Sequence, residues 1–461
     1  MSCKGMAHYY VETHGCQMNE RDSETLAALL EQMGYTPAQD PRTADLIVVN
    51  TCAVREAAER KAWARLKELA SVKKRNRNAL VVLAGCVAEL PGTLEKVRGA
   101  ASFVDILVGP AEIRRLPELI REAQEEKGLR HALSGPRRGR QPFGPPPEGM
   151  PRKLIPGVSA YVTIMYGCDN FCTYCVVPFV RGPQLSRKPE DIIDEVSKLV
   201  RAGYKEVFLL GQNVNAYGRD LGGGYRFHHL LRDLNEIGGL ARIRYATSHP
   251  RDFTEEMVDA IASLDKVCEH FHLPVQSGSD PVLKAMNRGY TRKEYIRLVD
   301  HIRERIPGSA ITTDIIVGFP GETEQDFGDT LSLVRQCRFD GAFTFIFSPR
   351  RGSAAARMPD QIPYEEKRRR LEVLVDLTKR ITLESNQKLV GSLVEVLLEG
   401  PDERTPGAMR GRTRTNKMVI STGGGQIGDL ILVKVEEAGT WYLKGPRFQE
   451  PTRKESASCR I

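Results

Sequence analysis

Six of the ten cysteines in this 461-residue chain fall into two groups of three, and their placement restricts the possible folds more than any other feature. One group is compact, and the other is spread over the first hundred residues, with each member just past a short apolar segment. The compact group is Cys168, Cys172 and Cys175, and the dispersed group is Cys16, Cys52 and Cys86. A fold that uses the dispersed group must bring distant strand ends to one place.

Residues 7–124 alternate strand-like and helix-like segments and are predicted to form one domain. The predicted buried strands are 9–11, 46–49, 80–83 and 103–108, and the predicted helices include 23–33 and 55–69. This order predicts a small doubly wound parallel sheet. The dispersed cysteines then lie beyond the carboxyl ends of strands, the edge at which such sheets bind ligands.

Residues 154–384 repeat the alternation six times and are predicted to form a partial (β/α)6 barrel, so that the fold class is α/β. The predicted strands are 160–165, 206–210, 243–246, 270–273, 311–317 and 343–347. The compact cysteine group follows the first strand, and polar residues follow the others, which places the predicted site at the carboxyl mouth of the barrel.

The remaining segments have a different character. Residues 125–153 are rich in arginine, proline and glycine and are predicted to be a linker. After a charged helix predicted at about 365–389, residues 387–450 alternate apolar and polar positions between glycine-rich turns, which predicts a small β-barrel. Residues 451–461 are predicted to be a tail.

The net charge of +8 favours a polyanionic partner. The basic residues are concentrated in three runs, although solvated faces explain each run alone equally well. These runs are Arg130, Arg137, Arg138, Arg140, Arg152 and Lys153, then Lys367, Arg368, Arg369 and Arg370, then Arg410, Arg412, Arg414 and Lys417. No apolar run reaches membrane-spanning length, and the first strand-like segment begins almost at the N-terminus, so we expect a cytoplasmic protein without a membrane segment.

In a reducing cytosol, clustered cysteines bind metal more often than they form disulfides. A zinc site would need a fourth ligand beside the compact group, and the next histidines, His228 and His229, lie far downstream. Three thiolates can instead hold a cubane iron–sulfur cluster and leave one iron free. The cysteines outside both groups, Cys268, Cys337, Cys3 and Cys459, are predicted to be two buried small hydrophobes and two free thiols near the ends.

The segment 166–178, with its C-x3-C-x2-C spacing, resembles the radical S-adenosylmethionine (SAM) enzymes. The resemblance implies that the free iron chelates the methionyl amine and carboxylate of SAM and that cleavage gives a 5′-deoxyadenosyl radical. It also implies cofactor contacts at the aromatic residue of the loop and at two later strand ends. The expected cofactor-binding residues are Tyr174, Gly211, Gln212, Asn213, Gln276, Arg288, Gly318 and Glu322. Arg181 is a further candidate, and packing or ion-paired structural roles remain open for Tyr174, Gln276, Arg181 and Arg288.

The segments around the dispersed cysteines resemble the N-terminal domain of the methylthiotransferases within that superfamily. The same family carries segments like 272–279 and 286–290, and its C-terminal RNA-binding barrel is called TRAM. Asn50 to Glu56 and Tyr166 to Cys175 look most like the MiaB type, whose members convert isopentenyladenosine beside the tRNA anticodon to its 2-methylthio derivative. Relatives act instead on threonylcarbamoyladenosine or on a ribosomal protein. An RNA-binding protein with structural metal sites is the alternative from another class.

This resemblance implies two 4Fe–4S clusters, the first on Cys16, Cys52 and Cys86 and the second on Cys168, Cys172 and Cys175. It implies that all six cysteines take part in catalysis, since the second cluster generates the radical and the first carries the sulfur. Two SAM molecules serve per turnover, one as radical source and one as methyl donor. The implied partners are a tRNA anticodon arm, an electron donor such as a flavodoxin or ferredoxin, and an iron–sulfur carrier, with the enzyme itself a monomer.

Overall fold

The first structural unit is a six-stranded parallel sheet with helices on both faces. The computed structural model describes residues 7–53, 56–126, 128–133 and 149–449. The strands of the first unit are β1 (His8–His14), β2 (Thr36–Pro37), β3 (Leu46–Thr51), β4 (Leu80–Gly85), β5 (Ile106–Val108) and β6 (Arg130–Ala132). Its helices are α1 (Gln17–Gln32), α2 (Glu56–Arg75), α3 (Thr93–Ala100) and α4 (Leu116–Glu125). The strand order is β2-β1-β3-β4-β5-β6, and every pairing is parallel.

Both faces of this sheet are buried, because alternate side chains of each strand point to opposite layers of helices. Val48 of β3 packs in one core with Leu26 of α1. Its neighbour Val49 packs in a second core with Leu66 of α2. The predicted doubly wound arrangement is therefore confirmed.

The structure corrects the prediction that 125–153 is only a linker. Residues Arg130–Ala132 form β6 and pair with β5, so the sheet extends into this segment. At its other end, Arg152 forms an ion pair with Glu24 at 2.8 Å, and Lys153 forms one with Glu31 at 2.6 Å. The arginines at 137, 138 and 140 lie outside the described residues.

The second unit is the predicted partial barrel. Its strands are β7 (Ser159–Thr163), β8 (Met165–Tyr166), β9 (Leu185–Ser186), β10 (Glu206–Leu210), β11 (Arg242–Tyr245), β12 (His270–His272), β13 (Ala310–Val317) and β14 (Gly341–Ile346). Its helices are α5 (Val177–Val180), α6 (Pro189–Arg201), α7 (Phe227–Asn235), α8 (Glu255–Ala262), α9 (Asp280–Ala285), α10 (Arg292–Arg305), α11 (Glu324–Cys337) and α12 (Tyr364–Gln387). The sheets β7-β10-β11 and β12-β13-β14 are parallel and meet through a bridge between Ile243 and Val267.

The helices of the barrel pack on the outer faces of its strands, and the inner faces form the lumen. Ile311 and Ile315 of β13 belong to one large core with Val299 of α10 and Leu333 of α11. The starts of α10 and α11 are fixed by capping boxes at Thr291 and Thr323. Among the described residues, no helix is long and apolar enough to cross a membrane.

The third unit is a six-stranded, mostly antiparallel sheet that curls on itself, as predicted for the C-terminal region. Its strands are β15 (Leu393–Pro401), β16 (Met409–Thr413), β17 (Met418–Thr422), β18 (Leu430–Lys434), β19 (Glu437–Ala438) and β20 (Leu443–Pro446). The order is β18-β15-β16-β17-β20-β19, and a bridge from Val433 to Arg447 brings the two ends together. Val396, Val419 and Leu443 lie in its buried core.

The turn between β16 and β17 docks on the barrel at the end where β12 and β14 begin. Arg244 of β11 donates to the carbonyls of Thr413 and Arg414 at 2.6 and 2.9 Å. Arg414 forms a two-point contact with Glu269 at 2.6 and 2.9 Å, and Lys417 contacts Asp340 at 3.0 Å. The third basic run is therefore used partly to hold two domains together.

Two cysteine triads at the junction of sheet and barrel

The dispersed triad lies at the carboxyl edge of the first sheet. Cys16 caps the start of α1 directly after β1, Cys52 follows β3, and Cys86 follows β4. The strand order changes direction between β1 and β3, and this is the point at which doubly wound sheets bind ligands. Gly15 allows the close approach, because its φ is +151° and a Cβ there would lie 2.4 Å from the Cβ of Cys52.

The thiols of this triad interact with one another and with one buried cation. A hydrogen bond with Cys52 and, to a smaller extent, the charge of Arg181 outweigh burial and lower the pKa of the Cys16 thiol to about 6. Burial raises the pKa of the Cys86 thiol, against the effect of Arg181. The three sulfurs therefore share one small electrostatic environment.

Arg181 connects the two triads. It follows α5, the short helix after the compact cysteine loop. Its Nε donates to Cys86 Sγ at 3.1 Å, and its Nη2 donates to Asp22 Oδ2 at 2.8 Å. The side chain is only 3% exposed, and its Nη1 is buried without a hydrogen-bond partner. Val176 and Val180 beside it pack against Cys86 in one apolar cluster.

The compact triad lies in the loop between β8 and α5 at the mouth of the barrel. Gly167 permits a tight turn at φ +64°, and the next amide, that of Cys168, donates to the carbonyl of Gly182 at 3.1 Å. The Cys175 amide donates to the Cys172 carbonyl at 2.9 Å. Burial raises the pKa of Cys168 to about 11 and that of Cys175 to about 12.

Arg288 places a positive charge beside this loop. Its Nη1 lies 3.4 Å from Cys172 Sγ and 3.3 Å from the Tyr174 hydroxyl, and its Nη2 donates to the Pro274 carbonyl at 2.6 Å. Tyr174 packs at the edge of an apolar cluster that includes Phe319. These two predicted cofactor residues are therefore brought to the compact triad.

Of the predicted residues at the later strand ends, Asn213 and Gly211 contact other protein groups, whereas Gln276 keeps an unpaired oxygen. Asn213 is bound within the protein, because its Nδ2 donates to Asp252 at 2.6 Å and its Oδ1 accepts from the His249 amide at 3.1 Å. Gly211 packs tightly against Met165, where a Cβ would lie 2.5 Å from Cγ, and Gln212 is half-buried. Gln276 has a left-handed φ of +70°, and its Oε1 is buried without a partner. The Oε1 atom of Gln276 can therefore accept a hydrogen bond from a bound group.

The Gly318–Glu322 turn is held by α12. The Gly318 amide donates to Glu322 Oε1 at 3.0 Å, and Arg370 contacts the same oxygen at 2.7 Å. The Lys367 stem covers Gly318 and its Nζ reaches the carbonyl of Phe347 at 3.2 Å. Lys367 and Arg370 of the second basic run are thus buried structural residues, whereas Arg368 and Arg369 are exposed.

Two buried carboxylates of the site, Asp22 and Asp252, were not among the residues predicted from the sequence. Asp22 lies on α1 and pairs with Arg181, while Asp252 pairs with Arg219 at 2.8 Å and holds Asn213. Asp22 carries no local motif, since it lies in a helix segment rich in charged residues. Cys268 and Cys337 are buried as predicted, and Cys3 and Cys459 lie outside the described residues.

The donor chemistry of both triads fits iron–sulfur clusters. Each offers three thiol sulfurs beside one buried arginine, and soft thiolates are the ligands that such clusters select. Within the described residues, no three His, Cys, Asp or Glu side chains surround one point closely enough to hold a single metal ion.

Comparison with known families agrees with this geometry. The chain matches the Radical SAM superfamily over residues 162–334, the uncharacterized protein family UPF0004 over 8–109, and the TRAM domain over 387–446. Among solved structures, it is similar to the radical SAM methyltransferase TsrM from Kitasatospora setae with cobalamin and a 4Fe–4S cluster bound. The TM-score is 0.52 at 16% identity, over 88% of this chain and 77% of that chain. The barrel and its cysteine loop thus define a radical SAM enzyme, a class whose cofactors are a 4Fe–4S cluster and SAM.

Relatives with higher sequence identity show which family within this class the chain belongs to. A tRNA-2-methylthio-N6-dimethylallyladenosine synthase of Moorella thermoacetica is 51% identical, over 96% of this chain and 98% of the relative. Enzymes of the same name from Carboxydothermus hydrogenoformans and Syntrophomonas wolfei are 47% and 48% identical, over 95% and 96% of this chain and 98% of each relative. The chain belongs to the family of tRNA-2-methylthio-N6-dimethylallyladenosine synthases.

Proposed function

We propose that this enzyme adds a methylthio group to carbon 2 of N6-dimethylallyladenosine (isopentenyladenosine) beside the anticodon of tRNA. The observation that carries the proposal is the contact of Arg181, which directly follows the compact cysteine loop and α5, with Cys86 of the dispersed triad. Because this contact holds the two triads close together, the groups bound at both can act on the same carbon atom of the substrate. The names of the relatives indicate which base is modified, N6-dimethylallyladenosine, and that this base lies in tRNA.

The reaction at carbon 2 explains why such a site is needed. The C–H bond there is not acidic enough for any side chain to remove its proton. When bound, the clusters and SAM supply a carbon radical for hydrogen abstraction, a sulfur atom and a methyl group. The protein must then hold these groups and the base in line and exclude water.

We propose that the compact triad Cys168, Cys172 and Cys175 holds the cluster that binds SAM, and that the dispersed triad Cys16, Cys52 and Cys86 holds the auxiliary cluster. Arg288 and Arg181 each neutralise negative charge at one triad, since each donates to a ligand sulfur.

The proposed contacts to SAM follow from the free groups at the barrel mouth. Gln276 can accept a hydrogen bond from the cofactor through its unpartnered Oε1, and half-buried Gln212 lies at the end of β10. Tyr174 offers its ring to the adenine, while the backbone of Gly318, held by Glu322, borders the adenosyl group. Asn213 positions the loop and Gly211 gives the space for it.

The partners beyond tRNA are part of the same proposal. A one-electron donor such as a flavodoxin or ferredoxin would reduce the compact-triad cluster, next to which Phe171 is 57% exposed. The exposed side chain of Arg251 contacts Asn170 of that loop, and exposed Arg219 shares its partner Asp252, so that both suit an acidic donor protein. An iron–sulfur carrier would replenish the auxiliary cluster. We propose a cytoplasmic monomer.

Modified-nucleoside profiling tests the substrate. In tRNA from cells that lack the gene, 2-methylthio-isopentenyladenosine should disappear and isopentenyladenosine should accumulate. Loss of the 2-methylthio group from threonylcarbamoyladenosine, or from a ribosomal protein, would assign the same chemistry to another substrate and overturn the proposal. A purified protein with zinc and no sulfide would point to a structural metal site instead.

The variant Cys16→Ala tests the division of labour between the triads. We expect it to keep reductive cleavage of SAM and to lose sulfur insertion, with iron falling from about eight to about four per chain. Cys268→Ala is the control, because that thiol is buried more deeply than Cys16 but lies outside both triads. Methylthiolation by Cys16→Ala would contradict the proposed roles.

A further inference from the structure

The inner face of the second half of the barrel carries polar groups that neither triad uses. Asp314 of β13 lies opposite Phe343 of β14, and Thr312 lies opposite His272 of β12. Because alternate residues of a strand face opposite sides, all four side chains lie on the face away from the helix-packed Ile315. They line the barrel lumen.

One hydroxyl connects the two imidazoles of this group. Thr312 Oγ1 lies 3.0 Å from His270 Nε2 and 3.1 Å from His272 Nδ1. Burial lowers the pKa of His270 well below its usual range, so that this ring is neutral and donates one N–H. We assign the His270 proton to Nε2, so that His270 donates to the hydroxyl and the hydroxyl donates to His272 Nδ1. This assignment puts the proton of His272 on Nε2, the nitrogen nearest the Asp314 carboxylate.

The Nε2 atom of His272, at the end of this series of hydrogen bonds, is available to a ligand. His272 Nε2 lies 3.5 Å from Asp314 Oδ1, too far for a good hydrogen bond, and the side chains are 14% and 27% exposed. Among the described residues, the Asp314 carboxylate contacts no other donor side chain within 3.5 Å. A donor N–H and a carboxylate acceptor therefore lie side by side in the lumen.

Apolar side chains surround these two groups. The Phe343 ring meets the His272 ring edge to face at 6.0 Å and is 56% exposed, an unusual state for a large apolar side chain inside a barrel. Across the lumen, Tyr161 and Phe208 meet edge to face at 5.9 Å. The docked turn of the third unit contacts Arg244, which lies beside Phe208 in the sheet register.

We propose that Asp314 and His272 bind the Watson–Crick edge of an N6-substituted adenine, with Asp314 accepting from N6–H and His272 donating to N1. An enzyme that modifies a base takes it out of the stack and binds this edge by hydrogen bonds. Phe343 then contacts the alkyl group on N6, and carbon 2, which neighbours N1, is directed toward the triads. This inference rests on the proposed function and identifies which part of the base the enzyme recognises.

The test uses the reconstituted full-length enzyme and two anticodon stem-loop RNAs. One carries isopentenyladenosine, and the other carries the same base with a methyl group in place of the N6 hydrogen. The wild type should favour the first RNA in kcat/KM by at least about tenfold, the effect of one charge-assisted hydrogen bond. Asp314→Asn should raise the KM of the first RNA about tenfold, lose most of the preference, and form more 5′-deoxyadenosine per product.

Asp265→Asn is the matched control, since that carboxylate is exposed in the turn before β12, away from the lumen. If Asp314→Asn loses iron, His272→Leu tests the same contact, with an expected rise of about tenfold in KM. The inference is wrong if the wild type modifies the first RNA and the lumen variants keep its KM and the preference. A wild type that cleaves SAM but modifies neither RNA would overturn the proposed function and, with it, this inference.

Discussion

At the scale of single residues, Arg181 should matter more for the auxiliary triad than any residue that is not a cysteine. Replacement by methionine leaves the carboxylate of Asp22 buried without its cation, which should lower the free energy of unfolding by about 3 kcal/mol. It also removes the donor to Cys86, so iron after anaerobic reconstitution should fall toward about four per chain.

The control for this prediction is Arg305→Met, because Arg305 and its partner Asp259 are each 51% exposed. Such a surface pair should change stability by no more than about 0.5 kcal/mol. Chemical denaturation of the cluster-free proteins measures both changes. Equal stability of Arg181→Met and the wild type would show that the buried pair is not needed for the fold.

Gly15 gives a second prediction at this scale. In Gly15→Ala, the new Cβ would lie 2.4 Å from the Cβ of Cys52, so Cys52 must move away from the other two thiols. We expect loss of the auxiliary cluster, with retained SAM cleavage. Gly34→Ala is the control, because Gly34 also has a positive φ, of +88°, but nothing lies within 4 Å of its Cβ position. Iron analysis should give about eight per chain for this control.

The sequence predicts some of these residues and not others, for a physical reason. The cysteines and Arg181 lie in short motifs or directly after strands, where position along the chain determines position in space. Asp22 and Asp314 have no such neighbours, since one lies within a helix and the other in mid-strand. Their importance depends on which chain segments pack against them, and sequence spacing does not contain that information.

At the scale of helices and strands, α12 stabilises the turn proposed to border the cofactor. Arg370 of α12 is 6% exposed and Glu322 only 2%. Arg370→Leu leaves that carboxylate buried and unpaired, so we expect a loss of about 3 kcal/mol in stability and weaker SAM binding. Calorimetric titration of the reconstituted enzyme with SAM should show a dissociation constant at least about tenfold higher.

Arg368→Leu is the control on the same helix, because Arg368 is 58% exposed and pairs only with exposed glutamates. It should bind SAM as the wild type does. If Arg370→Leu also binds SAM normally, the turn from Gly318 to Glu322 does not depend on α12.

Element boundaries show where sequence patterns were incomplete. The helix predicted at 23–33 begins at Gln17, because Cys16 occupies its N-cap position and the chain turns directly from β1 into α1. The polar start of the helix gives no apolar pattern, because its buried residues make hydrogen bonds instead of packing in an apolar core. Asn19 donates to Asn50, and Asp22 accepts from Arg181. Strand β6 was missed because three residues at a sheet edge carry too little periodicity to detect.

At the scale of the whole molecule, the three units are joined by buried polar contacts rather than by apolar surfaces alone. Arg181 and Asp22 join the first sheet to the barrel, and Arg244 joins the barrel to the third unit. Arg350 adds a contact across the first junction, since it pairs with Glu59 at 3.0 Å. Directional contacts of this kind fix orientation, which a site built from two separate domains requires.

The docking of the third unit predicts which basic residues bind tRNA. Arg410 is 44% exposed and has only the exposed Glu403 at 4.0 Å, whereas Arg414 is bound to Glu269 by a two-point contact. Each phosphate contact contributes about one unit to the slope of log K against log salt concentration. Arg410→Gln should therefore reduce that slope by about one, with equal weakening for all tRNA sequences.

Arg414→Gln should act differently, since it removes an interdomain contact rather than a phosphate contact. The salt slope of tRNA binding should stay unchanged, while limited proteolysis between α12 and β15 should become faster as the third unit loosens. Filter binding at several salt concentrations and timed proteolysis separate the two variants. A reduced salt slope for Arg414→Gln, with normal resistance to protease, would assign Arg414 to the RNA surface instead of the domain junction.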